Sequence, residues 1–387
     1  VSETNTDRER LTAVVDGHAV VVVCGTGGVG KTTVSAALAL GAALAGKRAL
    51  VMTIDPARRL ADALGVGEAM NEETPIDVEG LLGVTLPEGG SLSAMMLDAK
   101  RTWDNVVDKF AKDDATRRRI IGNHYYQRAS QSLSGSQEYM AMEQLLDVAA
   151  RGEYDLVVLD TPPSRNALDF LEAPGRMVAM LADGALKWLR SDGDSRFSAS
   201  RAGSLLFGKG RQAMFGVFER FLGTEVITGI SEFVTAMGGL LDGMRTRAGE
   251  VKALLESDGV AFVQVASPNR ISLSEALYFH ERLGEAGMTF EAFVINRVRP
   301  TSATLGDVPR SSAGSFEARP DDLGWTEVVD TVWANHRRRA RWGAVDRHHI
   351  DSLKAQAGAA VPYVEVPEIE GEVHDLEALR RLLEYLR

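Results

Sequence analysis

Short runs of nearly continuous apolar residues recur along the chain, separated by longer stretches in which apolar positions return every three or four residues. The runs are "AVVVVC" (19–24), "RALVMTI" (48–54), "SAMMLD" (93–98), "DLVVLD" (155–160), "VAFVQVA" (260–266), "FEAFVIN" (290–296) and "VPYVEV" (361–366). A strand with one wet face alternates; runs without alternation are the pattern of strands covered on both faces. Stretches such as "TTVSAALALGAALAG" and "LSEALYFHERLGEAG" read as the helices between them. Strands alternating with helices predict an α/β fold, a doubly wound and mostly parallel sheet. Ligands of such sheets sit at the carboxyl ends of the strands.

The spacing of the runs is uneven. Residues 99–153 and 167–257 are helical in pattern and far longer than simple crossovers require, so they predict an inserted helical subdomain. The remainder, 18–98, 154–166 and 258–387, forms the sheet domain. Residues 1–17 open on "VSETNTDRER", which is polar, lacks the apolar core of a signal peptide and reads as a disordered arm. Two stretches, 190–204 and 299–320, are rich in Ser, Gly, Pro and Arg and read as mobile loops.

Composition narrows the function. The 387 residues carry 43 basic and 54 acidic side chains, a formal charge of −11, which disfavours a nucleic-acid partner. Cys24 is the one cysteine, so no disulfide framework or thiolate metal site is available and a reducing cytoplasm is expected. The charge-free run between Lys31 and Lys47 is too short to cross a bilayer.

"CGTGGVGKTT" (24–33) carries the chemistry. Gly25 to Thr32 fits G-x-x-x-x-G-K-[ST], with an apolar run before it and a helical pattern after it, as a phosphate-binding loop requires. Its glycines let backbone N–H groups wrap a phosphate, Lys31 neutralises phosphate charge, and the Thr32 hydroxyl is placed to ligand Mg²⁺. Asp55 and Asp160 end two further runs and are expected at the same crevice. Asp160 reads as the partner of Mg²⁺ through water, and Asp55 as the group that positions or activates the attacking water. The plain alternative for either carboxylate is a helix cap.

With these motifs in order, the chain resembles the ArsA and guided-entry ATPases, within the deviant-Walker-A group of P-loop NTPases. "GGVGKTT", "TIDPARRLADALG" and "DTPPSRNALDFL" are similar to that family's P-loop, switch I and switch II. "QEYMAMEQL" and the tail "VPEIEGEVHDLEAL" are closer still to the actinobacterial guided-entry-like members. The resemblance implies an ATP- and Mg²⁺-dependent ATPase working as a nucleotide-gated dimer, with a helical subdomain that carries a client. By the same resemblance Gly27, Gly28, Val29, Gly30, Lys31, Thr32 and Thr33 form the phosphate cradle. Asp55 is then the catalytic aspartate and Asp160 that of switch II. Asn296 reads adenine, the plain alternative being a turn after the strand, and Val366, Pro367 and Glu368 cover the base.

The departures from the family are as informative. Thr26 stands where members carry a signature lysine that reaches the partner's nucleotide. Arg58 and Arg165 replace histidines of the two switches, and either offers a replacement charge. The other route is a heterodimer with a paralogous ATPase whose loop keeps the lysine; a homodimer must do without it. The cysteines that bind interfacial zinc or arsenite in family members are missing.

In the helical insertion, Val226, Ile230, Phe233, Met237, Leu240 and Met244 share one helix face; a second stripe runs through Met177, Leu181 and Trp188, with Phe207, Phe215, Phe218 and Phe221 between. Nine of the twelve methionines lie between residues 95 and 244, which suits a groove for a hydrophobic membrane-protein client; a packed helical core is the other reading. Membrane contact is at most peripheral. Two alternative functions stay open, an ATPase subunit of an anion or metalloid transporter and a partition-type ATPase positioning a complex on membrane or DNA.

Overall fold

The computed structural model describes residues 3–54, 59–66, 72–124, 126–127, 130, 136–161, 243–301, 325–369, 371 and 373–387. Asp55, Arg58, Arg165, the loop 190–204, the phenylalanines of 207–221 and both apolar stripes apart from Met244 lie outside these residues. Backbone contacts divide the chain into two compact units. One comprises Val1–Leu97, Val148–Leu168 and Leu254–Arg387, the other Asp98–Asp147 and Asp169–Ala253.

The first unit is built on eight strands, β1 (Val20–Cys24), β2 (Arg48–Thr53), β3 (Thr74–Ile76), β4 (Ser91–Met96), β5 (Leu156–Asp160), β6 (Val260–Ala266), β7 (Phe290–Val298) and β8 (Tyr363–Pro367). Their order across the sheet is β3-β4-β2-β5-β1-β6-β7-β8. Every pairing is parallel except β3 with β4. The seven long apolar runs all became strands. β3 was not expected: it has three residues, one of them Pro75, and a proline is tolerated at a sheet edge because it need not donate to a ladder.

Helices cover both faces, which is why the runs do not alternate. On β7, Ala292 and Val294 enter one core, while Phe293 and Ile295 enter the other. The first core is closed by α1 (Glu3–Gly17), α2 (Lys31–Leu44), α3 (Arg59–Leu64), α4 (Val78–Leu82) and, from the C-terminal end, the helix Leu376–Leu386. The disordered arm expected at 1–17 is corrected by α1: Leu11, Val14 and Val15 are buried in this core, and their contacts hold a helix that its charged neighbours concealed. The C-terminal helix likewise buries Leu376, Leu379, Leu382, Leu383 and Leu386.

In the second unit, α5 (Ala99–Phe110), α6 (Asp114–Ile121), most of α7 (Ser136–Arg151) and the larger part of α8 (243–255) are described. Asp98 and Asp113 cap α5 and α6 by accepting from the N–H groups of Arg101 and Thr116. Met244, one of the stripe residues, is buried, and its carbonyl accepts from the buried Tyr139 hydroxyl at 3.3 Å. Back in the first unit, α9 (Arg270–Glu285) and the 33-residue α10 (Trp325–Ala357) lie on the second face of the sheet, and α11 is the C-terminal Leu376–Leu386 already described. No described helix is long and apolar enough to cross a membrane.

Candidate nucleotide site

β1 is a central strand, flanked by β5 and β6, and the chain leaves its carboxyl end directly into the glycine-rich loop. Two glycines have steric reasons to be there. Gly25 has φ of +149° and a Cβ on it would drive into the Val265 carbonyl of β6. Gly30, the residue before α2, has φ of +96°, and a Cβ there would meet the Asn296 amide. The loop is thereby pressed against β6 and β7, and its exit turns straight into the N-terminus of a 14-residue helix, the electropositive end.

Lys31 is 6% exposed and donates from Nζ to the Thr26 carbonyl at 3.0 Å, folding over the loop it belongs to. Thr32 donates from Oγ1 to Asp160 Oδ2 at 2.7 Å. The same carboxylate oxygen accepts from Thr53 Oγ1 at 2.8 Å. Parallel pairing explains the meeting: Asp160 lies in register with Val23 of β1 on one side and Thr53 of β2 on the other. Asp160 is fully buried, so the two hydroxyls meet part of the hydrogen-bonding demand of a desolvated carboxylate. Thr53 went unnoticed in the sequence because a threonine inside a strand is ordinary.

Thr26, at the position of the signature lysine, points its hydroxyl toward Ser272 Oγ, 3.4 Å away in the first turn of α9. Ser272 Oγ also accepts from the Ser267 N–H, and its own N–H is capped by Asn269. Here the threonine is tied into the protein's own framework.

Asn296 is buried at the end of the apolar part of β7, where its Nδ2 donates to the Val29 carbonyl at 2.8 Å and its Oδ1 accepts from the Arg297 N–H at 2.9 Å. An amide has two donors and two acceptor positions, so one of each is left over for a ligand. Arg297 donates from its guanidinium to the Gly28 carbonyl at 3.0 Å. It was not singled out in the sequence, and nothing in "VINRV" marks it.

A cavity of about 740 Å³ opens beside the loop, lined by Gly27, Gly28, Gly30, Lys31, Thr32, Thr33, Thr161, Asn296, Arg297 and Pro367 among others. That volume is in the range of small-ligand pockets. Its ionisable lining is Lys31, Arg59, Arg297 and His374 against one carboxylate, Asp62, a balance suited to a polyanion. Of the three residues expected over the base, only Pro367 faces this cavity. Val366 is buried in the first core, and the Glu368 carboxylate lies 3.4 Å from Arg339. Val29 is buried too, and its part in the loop is the carbonyl that accepts from Asn296 rather than a lining side chain.

The donor set suits a nucleotide with Mg²⁺. No group of three His, Cys, Asp or Glu able to hold a metal exists among the described residues. One hydroxyl and one carboxylate are what a Mg²⁺ ion uses when phosphate oxygens and waters complete its shell. Cys24, at the foot of the loop, offers no soft ligand: burial pushes its thiol up to about 12, against a smaller opposing hydrogen bond from Thr161.

The matches to known proteins agree with this geometry. A family model described as an anion-transporting ATPase matches residues 18–188. Relatives include the ATPase GET3 of Malassezia globosa, 26% identical over 71% of this chain and 71% of the relative. The ATPase ASNA1 homolog 1 of Paramecium tetraurelia is 25% identical over 72% of this chain and 74% of its own length. The ATPase get3 of Aspergillus terreus is 31% identical over a shorter stretch, 42% of this chain and 45% of the relative. Motif order, sheet and relatives converge: the chain is an ATPase similar to the ArsA and guided-entry ATPases.

Proposed function

We propose that the cavity beside the glycine-rich loop binds ATP with Mg²⁺, and that hydrolysis there opens and closes a dimer whose helical unit presents an apolar surface to a membrane-protein or other hydrophobic client. The observation that carries the nucleotide part is the Thr32–Asp160 bond, which couples the loop to the end of β5 beside a basic cavity that Thr32 lines. In this reading Gly27 to Thr33 cradle the phosphates, with Lys31 neutralising them. Thr32 and Asp160 would hold Mg²⁺, the latter through water, and the bound ion would supply positive charge beside the phosphates. Asn296 uses its remaining donor and acceptor on adenine, with Pro367 beside the base. Asp55 orients the attacking water. The client role rests on the family resemblance together with the methionine-rich composition of residues 95–244.

Thr26 lacks the charge that the family resemblance places at its position, so in a dimer that charge comes from Arg58, from Arg165 or from a second ATPase. ATPase turnover measured over a wide range of protein concentration separates these. Specific activity that climbs with concentration means a self-sufficient homodimer. ATP binding without turnover at every concentration means that a paralogous partner completes the site. A wild-type chain that does not bind ATP removes the reading altogether. A metalloid-pump role is disfavoured by the chemistry of the one cysteine, which is buried and held as a thiol.

A further inference from the structure

β7 does not end as a regular strand. Ile295 pairs with Glu365 and Val298 with Pro367, so β7 carries one more residue than β8 over the same stretch, a bulge at Asn296 and Arg297. Arg297 has φ of +64°, and it is the one non-glycine residue with positive φ among the described residues. A left-handed backbone is unfavourable for a residue with a long side chain and persists only where neighbours enforce it. Two contacts do so. The Arg297 N–H is held by Asn296 Oδ1, and its guanidinium by the Gly28 carbonyl. Asn296 and Arg297 thus grip two successive carbonyls of the phosphate loop, Val29 and Gly28.

Gripping the loop does not need a cation, since a neutral amide grips Val29 equally well. Arg297 is exposed and lines the cavity, while its bond to Gly28 uses one of five donors. We propose that Arg297 is a nucleotide-binding residue, placed by the β7 bulge so that its guanidinium pairs with phosphate oxygens of a nucleoside di- or triphosphate held by the loop. The planar fork suits phosphate, and the charge comes from the same chain that holds the loop. This assignment rests on the nucleotide-site reading above and adds a residue to it.

The test uses the full chain with two substitutions, Arg297→Gly and Arg297→Gln. Glycine adopts positive φ without strain, so the first variant folds at least as well as wild type by thermal unfolding. Glutamine keeps a donor for the Gly28 carbonyl and loses the charge and the planar fork. Affinity for Mg-ATP and Mg-ADP is read by calorimetry, independently of turnover. Both variants are expected to bind about tenfold or more weakly, the scale of one lost charge-assisted hydrogen bond. Wild-type binding alongside a glutamine variant within about twofold of it overturns this assignment alone. A wild-type chain that binds neither nucleotide overturns it together with the site reading.

Discussion

Thr32 and Asp160 stand 128 residues apart in the chain and meet through a 2.7 Å hydrogen bond, the hydroxyl donating to Oδ2. Thr53 donates to that same oxygen from the opposite side, so the position of the carboxylate is set from β2 as well as from the loop. Thr53→Val keeps the shape and removes one of these donors from a fully buried carboxylate. The expected cost is about 1–3 kcal/mol in global stability. The Mg²⁺ concentration for half-maximal ATPase activity should rise about tenfold or more, as when a residue supporting a metal's ligand is lost. Chemical denaturation and a Mg²⁺ titration check the two. An unchanged Mg²⁺ requirement would show that Thr53 matters to the fold but not to the ion.

The loop's glycines should differ in what they tolerate. Gly30→Ala meets two penalties, a φ of +96° and a collision with the Asn296 amide. Gly28→Ala meets only the first, at φ +78°, because nothing lies within 4 Å of a Cβ there. The backbone penalty alone is about 1–2 kcal/mol. Gly30→Ala should therefore lose more stability than Gly28→Ala and, by pushing Asn296 off Val29, more of any preference for ATP over GTP. Equal effects of the two changes on both readouts would mean that the Asn296 contact is not what makes Gly30 necessary.

Most of the sheet was legible in the sequence, and the reason is burial. Runs such as Val20–Cys24 are covered on both faces, so every position is apolar. β3 was not legible because an edge strand of three residues has no such requirement. Helix α1 was hidden for a related reason: Leu11, Val14 and Val15 are its buried positions among the described residues, and charges surround them. In the site, Lys31, Thr32 and Asp160 were legible from local motifs. Thr53 and Arg297 were not, because their placement follows from strand register and a bulge, and neither leaves a local pattern. Val366 misled for the opposite reason, since adjacent residues of one strand point to opposite sides and only Pro367 faces the cavity.

Cys24 should be silent in the folded chain. Its thiol is fully buried and pushed up to about 12, chiefly by desolvation, whereas an unperturbed thiol ionises near 8.5. At pH 8 the thiolate is then about one part in ten thousand, and only the thiolate reacts. Iodoacetamide at pH 8 should leave the native chain unmodified by intact mass for hours and label it once in denaturant. Rapid labelling of the native chain would mean that the foot of the loop opens to solvent.

The described residues of the helical unit include a buried carboxylate held by an arginine. Glu143 on α7 is 1% exposed at its side chain, and Arg247 on α8 holds it with a 2.6 Å bond while also reaching Asp147 at 2.6 Å. Burial raises the Glu143 pKa above the ordinary glutamate value, and the Arg247 bond opposes that rise without cancelling it. A native carboxyl that keeps its proton to higher pH than in the unfolded chain loses stability as pH rises from the unfolded value through the folded one. Arg247→Met removes the opposing charge, leaves the carboxylate uncompensated and should cost about 3–5 kcal/mol at pH 7. That deficit should shrink as pH falls, because burial favours the protonated form of Glu143 and a protonated carboxyl no longer needs the arginine. Glu143→Gln, which never carries the charge, should cost far less at pH 7. Hydrogen exchange on residues 139–147 and 243–253, run at pH 5 and pH 7, reads the effect where it arises. A deficit in Arg247→Met that is the same at pH 5 and pH 7 would mean that the arginine acts through packing and not through the buried carboxylate.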